Sequence, residues 1–212
     1  MLRLARTEIG VRCLRCAASA ITLAMVSALL VARPGFRGER VYELSSRGPL
    51  AGFLRREVAD PTISEYFDDL APGAFRDGVQ CQDIQRLTYP DASFDLVTST
   101  EVCEHVADDR RGFAEIRRVL RPEGEFIFTV PIEDADRTVE RAVISDGAVK
   151  HLLPPAYHDD RIRGKGAVLV FRDYGRDIVA RLLEAGFCTA RIESKFERAF
   201  LGAGRGVVIA RV

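Results

Sequence analysis

The amino-acid sequence predicts an α/β protein, with a mostly parallel sheet and helices on both of its faces. Three observations indicate this class: short apolar runs alternate with helical stretches, turns containing Pro or Gly separate them, and no segment repeats. Strands that alternate with helices in one chain favour parallel pairing, because each helix carries the chain back across the sheet. With 212 residues, 47% of them hydrophobic, the chain can bury one such core.

The predicted elements follow the order β-α-β-β-β-α-β through the middle of the chain. Strands are predicted for the short apolar runs 41–44, 62–66, 79–82, 94–99 and 125–130. Helices are predicted for 49–58 and 108–120, the second with Phe113, Ile116, Val119 and Leu120 on one face. Near the C-terminus we expect a helix over 174–185 that ends at Gly186, then strands at 188–193 and 206–212.

An uncharged apolar segment, residues 17–32, follows several arginines near the N-terminus. Two structures fit this pattern: a helix buried against the core, which we favour, or an export signal or membrane segment. The segment is shorter than the roughly 20 residues that span a bilayer, so we expect no stable membrane insertion. We therefore divide the chain into an N-terminal segment, 1–40, whose helix packs on the core, and a main domain, 41–212.

The five cysteines form an odd and scattered set, which is unlike a secreted disulfide framework and indicates a reducing, cytoplasmic setting. Cys13 and Cys16 make a CxxC pair, but no second CxxC or His pair stands at a distance suited to a zinc ribbon. We interpret them as two ordinary thiols or the remnant of a lost ribbon. The sequence analysis thus predicts no metal site.

Positive and negative charges balance, with 31 Lys and Arg against 31 Asp and Glu. Because no excess positive charge attracts nucleic acid or anionic lipid, the balance favours a small or neutral partner. The segment 132–166 is polar, rich in Asp, Pro, His and Gly, and without clear periodicity. We interpret it as an inserted loop or lid.

Acidic side chains lie where several predicted strands end. Glu43 ends the first strand, Glu65 the second, Asp83 the third, and Thr100 and Glu101 follow the fourth. In an open α/β sheet, ligands bind beyond the carboxyl ends of the strands. Acids at successive strand ends favour a nucleoside-shaped ligand over a phosphate, and no GxxxxGKS-type loop is present. Each acid taken alone also has a structural explanation, as a helix cap or a loop solubiliser.

Three motifs carry a family resemblance: FDLVTSTEVCEHV at 94–106, RVLRPEG at 118–124 and FIFTVP at 126–131. Together they resemble the pattern of class I S-adenosyl-L-methionine (SAM)-dependent methyltransferases. The resemblance covers roughly 41–131, with a looser echo in LLEAGF at 182–187. It implies a Rossmann-like three-layer sandwich, a mostly parallel seven-stranded sheet with a reversed last strand, SAM as cofactor, and methyl transfer to an acceptor.

The resemblance also implies a set of cofactor-binding positions. Glu65 matches the ribose-binding acid, Asp83 the acid near the adenine amine, Ile84 a position beside the ring, and Thr100 a position lining the methionine part. Glu43 matches the acid that opens the first motif, and the glycine loop corresponds to Ser45, Ser46, Arg47 and Gly48. The family's glycines let the backbone approach the cofactor, so this loop departs from the pattern. Either Arg47 pairs with the carboxylate of the methionine tail while the serine hydroxyls bind it, or the pocket has decayed.

A small-molecule or sugar acceptor remains by elimination, because the 132–166 segment lacks metal-ligand clusters, no NPP(Y) signature follows the fourth strand, and no basic patch is present. For a hydroxyl or amine acceptor, a base must take the proton, and the three histidines, His158, His151 and His105, are the candidates. The first alternative is a methyltransferase-like module that has lost catalysis and acts as a binding or scaffold protein. The second is a nicotinamide-dependent enzyme that uses Glu65 in the same way.

Overall fold

The computed structural model describes residues 2–3, 11–160, 166–194 and 206–212. One central sheet organises this part of the chain. Its strands are β1 (Val41–Glu43), β2 (Thr62–Glu65), β3 (Phe75–Arg76), β4 (Val79–Cys81), β5 (Phe94–Thr100), β6 (Leu120–Thr129), β7 (Thr189–Glu193) and β8 (Val207–Arg211). The helices are α1 (Ala20–Ala32), α2 (Gly48–Glu57), α3 (Asp109–Val119) and α4 (Ile178–Glu184), with short 3-10 turns at Phe36–Gly38 and Cys103–His105.

The strands lie side by side in the order β7-β8-β6-β5-β1-β2-β4-β3. The pairs β1–β2, β1–β5, β2–β4 and β5–β6 are parallel, whereas β8 runs antiparallel to both β6 and β7. The predicted Rossmann-like fold class with its reversed last strand is therefore confirmed. The sheet has an eighth strand because β3 and β4 form a hairpin, whose two turn residues Asp77 and Gly78 have φ values of 50° and 77°.

The strongest sequence patterns give the middle of the sheet. β5 is buried along most of its length, as expected for a central parallel strand. α3 begins after Asp108, whose carboxylate accepts a hydrogen bond from the Arg111 amide at 3.0 Å, and it buries Phe113, Ile116 and Val119 against the sheet. Local chemistry thus fixes the start and the buried face of this helix.

α4 begins at Ile178, four residues later than the sequence predicted. Tyr174 is bound into a parallel bridge with Ile132, so its backbone is extended rather than helical. The next residue, Gly175, lies so close to Arg137 that an added Cβ would be 2.4 Å from its carbonyl carbon. The helix ends as predicted, since Gly186 has φ +97° and its amide donates to the Leu183 carbonyl oxygen at 3.0 Å.

Helix α1 packs against the opposite face of the sheet from α3. Its buried side chains include Ala24, Met25, Ala28 and Leu29, in one apolar cluster with Leu96 of β5, Ile127 of β6 and Ile209 of β8. Ser19 caps its first turn by accepting a hydrogen bond from the Thr22 amide at 3.2 Å. Among the helices of the described ranges, none has the length and apolar character needed to cross a membrane.

The segment between β6 and α4, which contains the predicted inserted loop or lid, forms antiparallel strand pairs. These are Val139–Glu140 with Arg172–Asp173, Ala142–Ser145 with Ala148–His151, and Tyr157–Asp160 with Gly166–Leu169. Many of their side chains are exposed, so no clear alternation of apolar and polar residues marks them. One local signal was present: Asp146 and Gly147, both with positive φ, make the two-residue turn of the middle hairpin.

Candidate functional site

The carboxyl edge of the sheet is the edge at which the parallel strands β1, β2, β4 and β5 end. Glu43, the last residue of β1, is 1% exposed there. Its carboxylate accepts hydrogen bonds from the Ser45 amide at 3.2 Å and from the Thr98 hydroxyl. Burial, opposed by these two bonds and reinforced by the nearby Glu65 carboxylate, raises the pKa of Glu43 to about 8.

Glu65, the last residue of β2, is tied to the loop that follows β1. One carboxylate oxygen, Oε2, accepts from the Ser46 hydroxyl at 3.1 Å and from the Ser46 amide at 3.3 Å. The other oxygen, Oε1, has a longer contact of 3.4 Å with the Tyr66 amide. We call Glu43, Ser45, Ser46, Glu65 and Thr98 the β1–β2 network, because their hydrogen bonds tie both acids to neighbouring hydroxyls and amides.

The loop from Ser45 to Gly48 keeps one glycine, Gly48, of the several that the family pattern has. Arg55 of α2 reaches back and donates to the Ser46 carbonyl oxygen at 2.9 Å. Arg47 is exposed at the start of α2, and its carbonyl oxygen accepts a 3.4 Å hydrogen bond from the Ser45 hydroxyl. Gly48 has φ +93°, a conformation that glycine adopts readily. The turn is therefore held by side-chain hydrogen bonds.

Asp83 and Ile84 lie just beyond β4 on the same edge. One oxygen of Asp83 accepts from the Gln85 amide at 2.9 Å and from its side chain at 3.2 Å. Ile84 is buried and packs against Gly112 of α3. The two residues thus present a partly exposed carboxylate beside an apolar surface.

Buried hydroxyls at the end of β5 contrast with these bonded acids. Within the described ranges, the side-chain oxygens of Ser99 and Thr100, together with that of Thr129 on β6, are buried without a hydrogen-bond partner. Glu101 follows with φ +53°, a left-handed conformation that is strained for a residue other than glycine. Unsatisfied buried groups beside a strained residue are typical of functional sites.

Glu104, His105 and His158 meet just past this strand end, and we call them the Glu104 cluster. The Nε2 atom of His105 and the Nδ1 atom of His158 are 3.2 Å apart, and each lies 3.7 Å from Oε1 of Glu104. Glu104 is 1% exposed, and burial together with the nearby Glu101 carboxylate holds its pKa well above the usual range. His158 belongs to the strand Tyr157–Asp160, so a distant segment completes the cluster.

A buried arginine holds the turn that carries Glu104 and His105. Arg172, 2% exposed, donates to the carbonyl oxygens of Cys103, Val106 and Ala107 at 3.1, 2.6 and 2.8 Å. Its charge is compensated by Asp109 at 3.6 Å and by Glu140 at 3.1 Å. Because each carbonyl has its donor, the turn keeps one geometry without help from the Glu104 side chain.

The structure brings some of the sequence-predicted residues together and separates others. Glu43 and Glu65 interact across the edge, and His105 pairs with His158. His151 lies in the other hairpin, on an exposed strand paired with Ala142–Ser145. Glu104 belongs to the EHV motif but was not predicted as a site residue. Its neighbour in sequence, His105, gives no sign that the Glu104 side chain is buried.

The strand order β7-β8-β6-β5-β1-β2-β4-β3, with β8 antiparallel to its neighbours, is that of the class I methyltransferase fold. Residues 45–128 match the family model described as Methyltransferase domain, which confirms the resemblance to class I SAM-dependent methyltransferases drawn from the sequence. A solved S-adenosylmethionine-dependent methyltransferase from Mesorhizobium loti is similar over 92% of this chain and 99% of that one, with a TM-score of 0.55. At 20% identity, that similarity supports the fold alone.

Two curated relatives match shorter parts of the chain. An uncharacterized 37.1 kDa protein in transposon TN4556 of Streptomyces fradiae is 31% identical over 120 residues, which cover 54% of this chain and 30% of that protein. A ubiquinone biosynthesis O-methyltransferase of Coxiella burnetii is 32% identical over 80 residues, 38% of this chain and 34% of the enzyme. The matches span about a third of the length of these relatives.

Proposed function

We propose that this protein binds SAM and transfers its methyl group to a small-molecule or sugar acceptor. The observation that carries the proposal is the carboxyl edge of the family-matched domain, where the Glu65 carboxylate at the end of β2 faces the loop after β1. A buried carboxylate in that position is suited to the hydroxyls of a ribose. The similarity to the O-methyltransferase of Coxiella burnetii supports a hydroxyl as the methyl acceptor.

The residues present fit the cofactor at some positions better than at others. Oε1 of Glu65, whose only hydrogen bond in the described ranges is the long one from the Tyr66 amide, retains capacity to accept from a ribose hydroxyl. Ile84 offers an apolar surface, with the Asp83 carboxylate beside it, and the Thr100 hydroxyl lacks a partner. At the turn, side chains occupy space that glycines would leave open, at Ser45, Ser46 and Arg47. They reduce the space in which SAM can approach the backbone.

In this proposal SAM is held by Glu43, Ser45, Arg47, Gly48, Glu65, Asp83, Ile84 and Thr100. When bound, it supplies a methyl group on a positively charged sulfur. The chain's own residues then have two tasks: to align the methyl acceptor and, for a hydroxyl or amine, to take its proton. His105 and His158, which meet beside the end of β5, are better placed for the second task than His151 on the exposed hairpin.

Calorimetric titration with SAM and with its demethylated product tests the proposal. We expect saturable binding to the wild-type chain, weakened about 10- to 100-fold in Glu65→Gln, because a hydrogen bond to a charged group contributes about 1.5–3 kcal/mol. The matched control is Glu184→Gln at the end of α4, an exposed acid paired with Arg110, which should bind SAM like wild type. Absence of binding to a folded wild-type chain would end the proposal.

A second candidate function is a binding or scaffold module without catalysis. The feature that favours it is the β1–β2 network, in which Ser46 already occupies one oxygen of Glu65. SAM affinity separates the two candidates, and titration with NAD in the same experiment separates both from a nicotinamide-dependent enzyme. If SAM binds, a screen of hydroxyl and amine acceptors with isotopically labelled methyl identifies the substrate class.

A further inference from the structure

Three potential metal ligands from two distant segments converge in the Glu104 cluster. Each residue offers one atom: Oε1 of Glu104, Nε2 of His105 and Nδ1 of His158. Their separations of 3.2, 3.7 and 3.7 Å define a nearly equilateral triangle. A point equidistant from the three atoms lies about 2.1 Å from each, which is the usual length of Zn–N and Zn–O bonds. The spacing therefore fits one cation with three protein ligands.

The ring of His105 is fixed in the tautomer that a metal ligand requires. Its Nδ1 atom lies 2.8 Å from the carbonyl oxygen of Leu169. A carbonyl oxygen can only accept, so Nδ1 carries the hydrogen and the lone pair of the neutral ring is on Nε2. A backbone carbonyl that orients the remote nitrogen in this way is the usual outer partner of a metal-bound histidine.

Glu104 gives a second, independent indication of a cation site. Its side chain is 1% exposed, yet within the described ranges neither carboxylate oxygen accepts a hydrogen bond. The buried cation Arg172 directs its donors to backbone carbonyls and to Glu140 instead. A buried carboxylate without donors is costly, and a cation at the centre of the triangle would offset that cost.

We propose that Glu104, His105 and His158 form a binding site for one divalent transition-metal ion, with Zn²⁺ as the best match. Two imidazoles and one carboxylate favour Zn²⁺, Co²⁺ or Mn²⁺ over Mg²⁺ and Ca²⁺, which prefer oxygen ligands. Three protein ligands leave one tetrahedral position open, the arrangement of sites at which a zinc ion binds water or substrate. His158 is 46% exposed, so an ion can enter from solvent.

The proposed site departs from the sequence analysis, which predicted no metal, and it gives the inserted segment a structural role. The ion would bridge the turn after β5 and the hairpin of Tyr157–Asp160 and Gly166–Leu169. Metal binding itself does not depend on the proposed methyl transfer, but an ion held by the ring nitrogens of His105 and His158 would prevent those nitrogens from taking the acceptor's proton. Metal binding is therefore tested on the full chain without SAM, and a failure to bind SAM leaves the metal result unchanged.

The experiment is a titration of chelator-treated protein with Zn²⁺ by calorimetry and with Co²⁺ by visible absorption. We expect one ion per wild-type chain and a Co²⁺ spectrum typical of nitrogen and oxygen ligands. Since loss of an outer partner already weakens metal sites 10- to 100-fold, removing a direct ligand in His158→Ala should weaken binding at least about 100-fold. Glu104→Gln should have a similar effect.

Two controls address the other potential ligands of the chain. His151→Ala removes an exposed histidine of the neighbouring hairpin and should bind Zn²⁺ like wild type. The double variant Cys13→Ser/Cys16→Ser removes the CxxC pair and should also retain the site. The proposal is overturned if the wild-type chain takes up no ion, or if His158→Ala, shown to be folded by circular dichroism, binds as tightly as wild type. The imidazoles would then form only a hydrogen-bonded pair.

Discussion

The two halves of the carboxyl edge treat their buried polar groups in opposite ways. In the β1–β2 network, the carboxylates of Glu43 and Glu65 accept hydrogen bonds from Ser45, Ser46 and Thr98. Around the end of β5, the oxygens of Ser99, Thr100 and Glu104 are buried without such bonds in the described part of the chain. A ligand that binds Glu43 or Glu65 must replace hydrogen bonds that these acids already make. A ligand at the end of β5 could instead supply the hydrogen bonds that the buried oxygens there lack.

The difference follows from how each half is built. The β1–β2 network joins the ends of two adjacent strands, and a short loop with two serines brings donors to both acids. The β5 half combines a strand end, a 3-10 turn and a hairpin from the inserted segment, held together by Arg172 and Tyr174. Arg172 and Tyr174 fix the backbone of these elements. The side-chain oxygens between the elements therefore need not make hydrogen bonds to hold them in place.

The largest expected effect concerns Glu43 and the pH dependence of stability. Its pKa rises from 4.5 to about 8 on folding, so the folded state holds the proton more tightly and loses stability as pH rises from 4.5 to 8. Because glutamine does not titrate, Glu43→Gln should lack this pH-dependent loss of unfolding free energy, which in wild type is on the order of 5 kcal/mol between pH 4.5 and 8. Urea unfolding of both proteins near pH 4.5 and pH 8.5 measures it.

An equal pH dependence in wild type and Glu43→Gln would show that the β1–β2 network satisfies Glu43 more fully than its burial indicates. The groups that face Glu43 are Thr98, Ser45 and the Glu65 carboxylate. Repeating the measurement in Glu65→Gln separates the repulsion between the two acids from the cost of burial.

The second prediction concerns Arg172, which holds the turn after β5. Arg172→Met removes a donor from each of three carbonyl oxygens and a cation from Asp109 and Glu140, so we expect a loss of about 3–5 kcal/mol in the free energy of unfolding. The matched control is Arg176→Met, whose guanidinium is 56% exposed and pairs with Asp134 and Asp136. It should cost less than about 1 kcal/mol. Similar losses in both variants would contradict a special role for Arg172.

The third prediction concerns the attachment of the inserted segment. In Gly175→Ala the new Cβ would lie 2.4–2.8 Å from backbone atoms of Arg137, which cannot move independently. We expect a destabilisation of about 2 kcal/mol, the usual cost of overpacking. Gly38→Ala is the control, because nothing lies within 4 Å of its added Cβ. Equal unfolding midpoints for the two variants would mean that this contact relaxes easily.

The smallest expected effect concerns the contribution of Ser46, in the β1–β2 network, to the affinity for SAM. Ser46→Ala removes the hydroxyl from Oε2 of Glu65 and makes that oxygen available to a ligand. We expect SAM to bind about fivefold more tightly, corresponding to about 1 kcal/mol for one hydrogen bond that need not be exchanged. Ser93→Ala, whose hydroxyl donates to the Pro90 carbonyl oxygen at 2.6 Å away from the proposed binding residues, should leave the affinity unchanged. Weaker binding in Ser46→Ala would show that the serine helps to hold the ligand.

Local patterns predicted most of the central sheet. The apolar run of β5, the Asp108 cap with the buried face of α3, and the glycine that ends α4 all act over a few residues, so the sequence displays them directly. The start of α4 was predicted wrongly, and the hairpins of the inserted segment were not predicted. Tertiary contacts of Tyr174 and Gly175 fix the former, and exposure of both hairpin faces obscures the latter.

The sequence by itself determined the fold class and the acids at the ends of β1 and β2, because hydrophobic periodicity and turn residues specify both locally. Only the tertiary structure decided that Ser46 binds Glu65 and that Glu104 is buried. It alone also placed His158 against His105, across 53 positions of the chain. Burial and the meeting of distant side chains arise when strand ends, loops and the inserted segment pack together, and no local pattern encodes that packing.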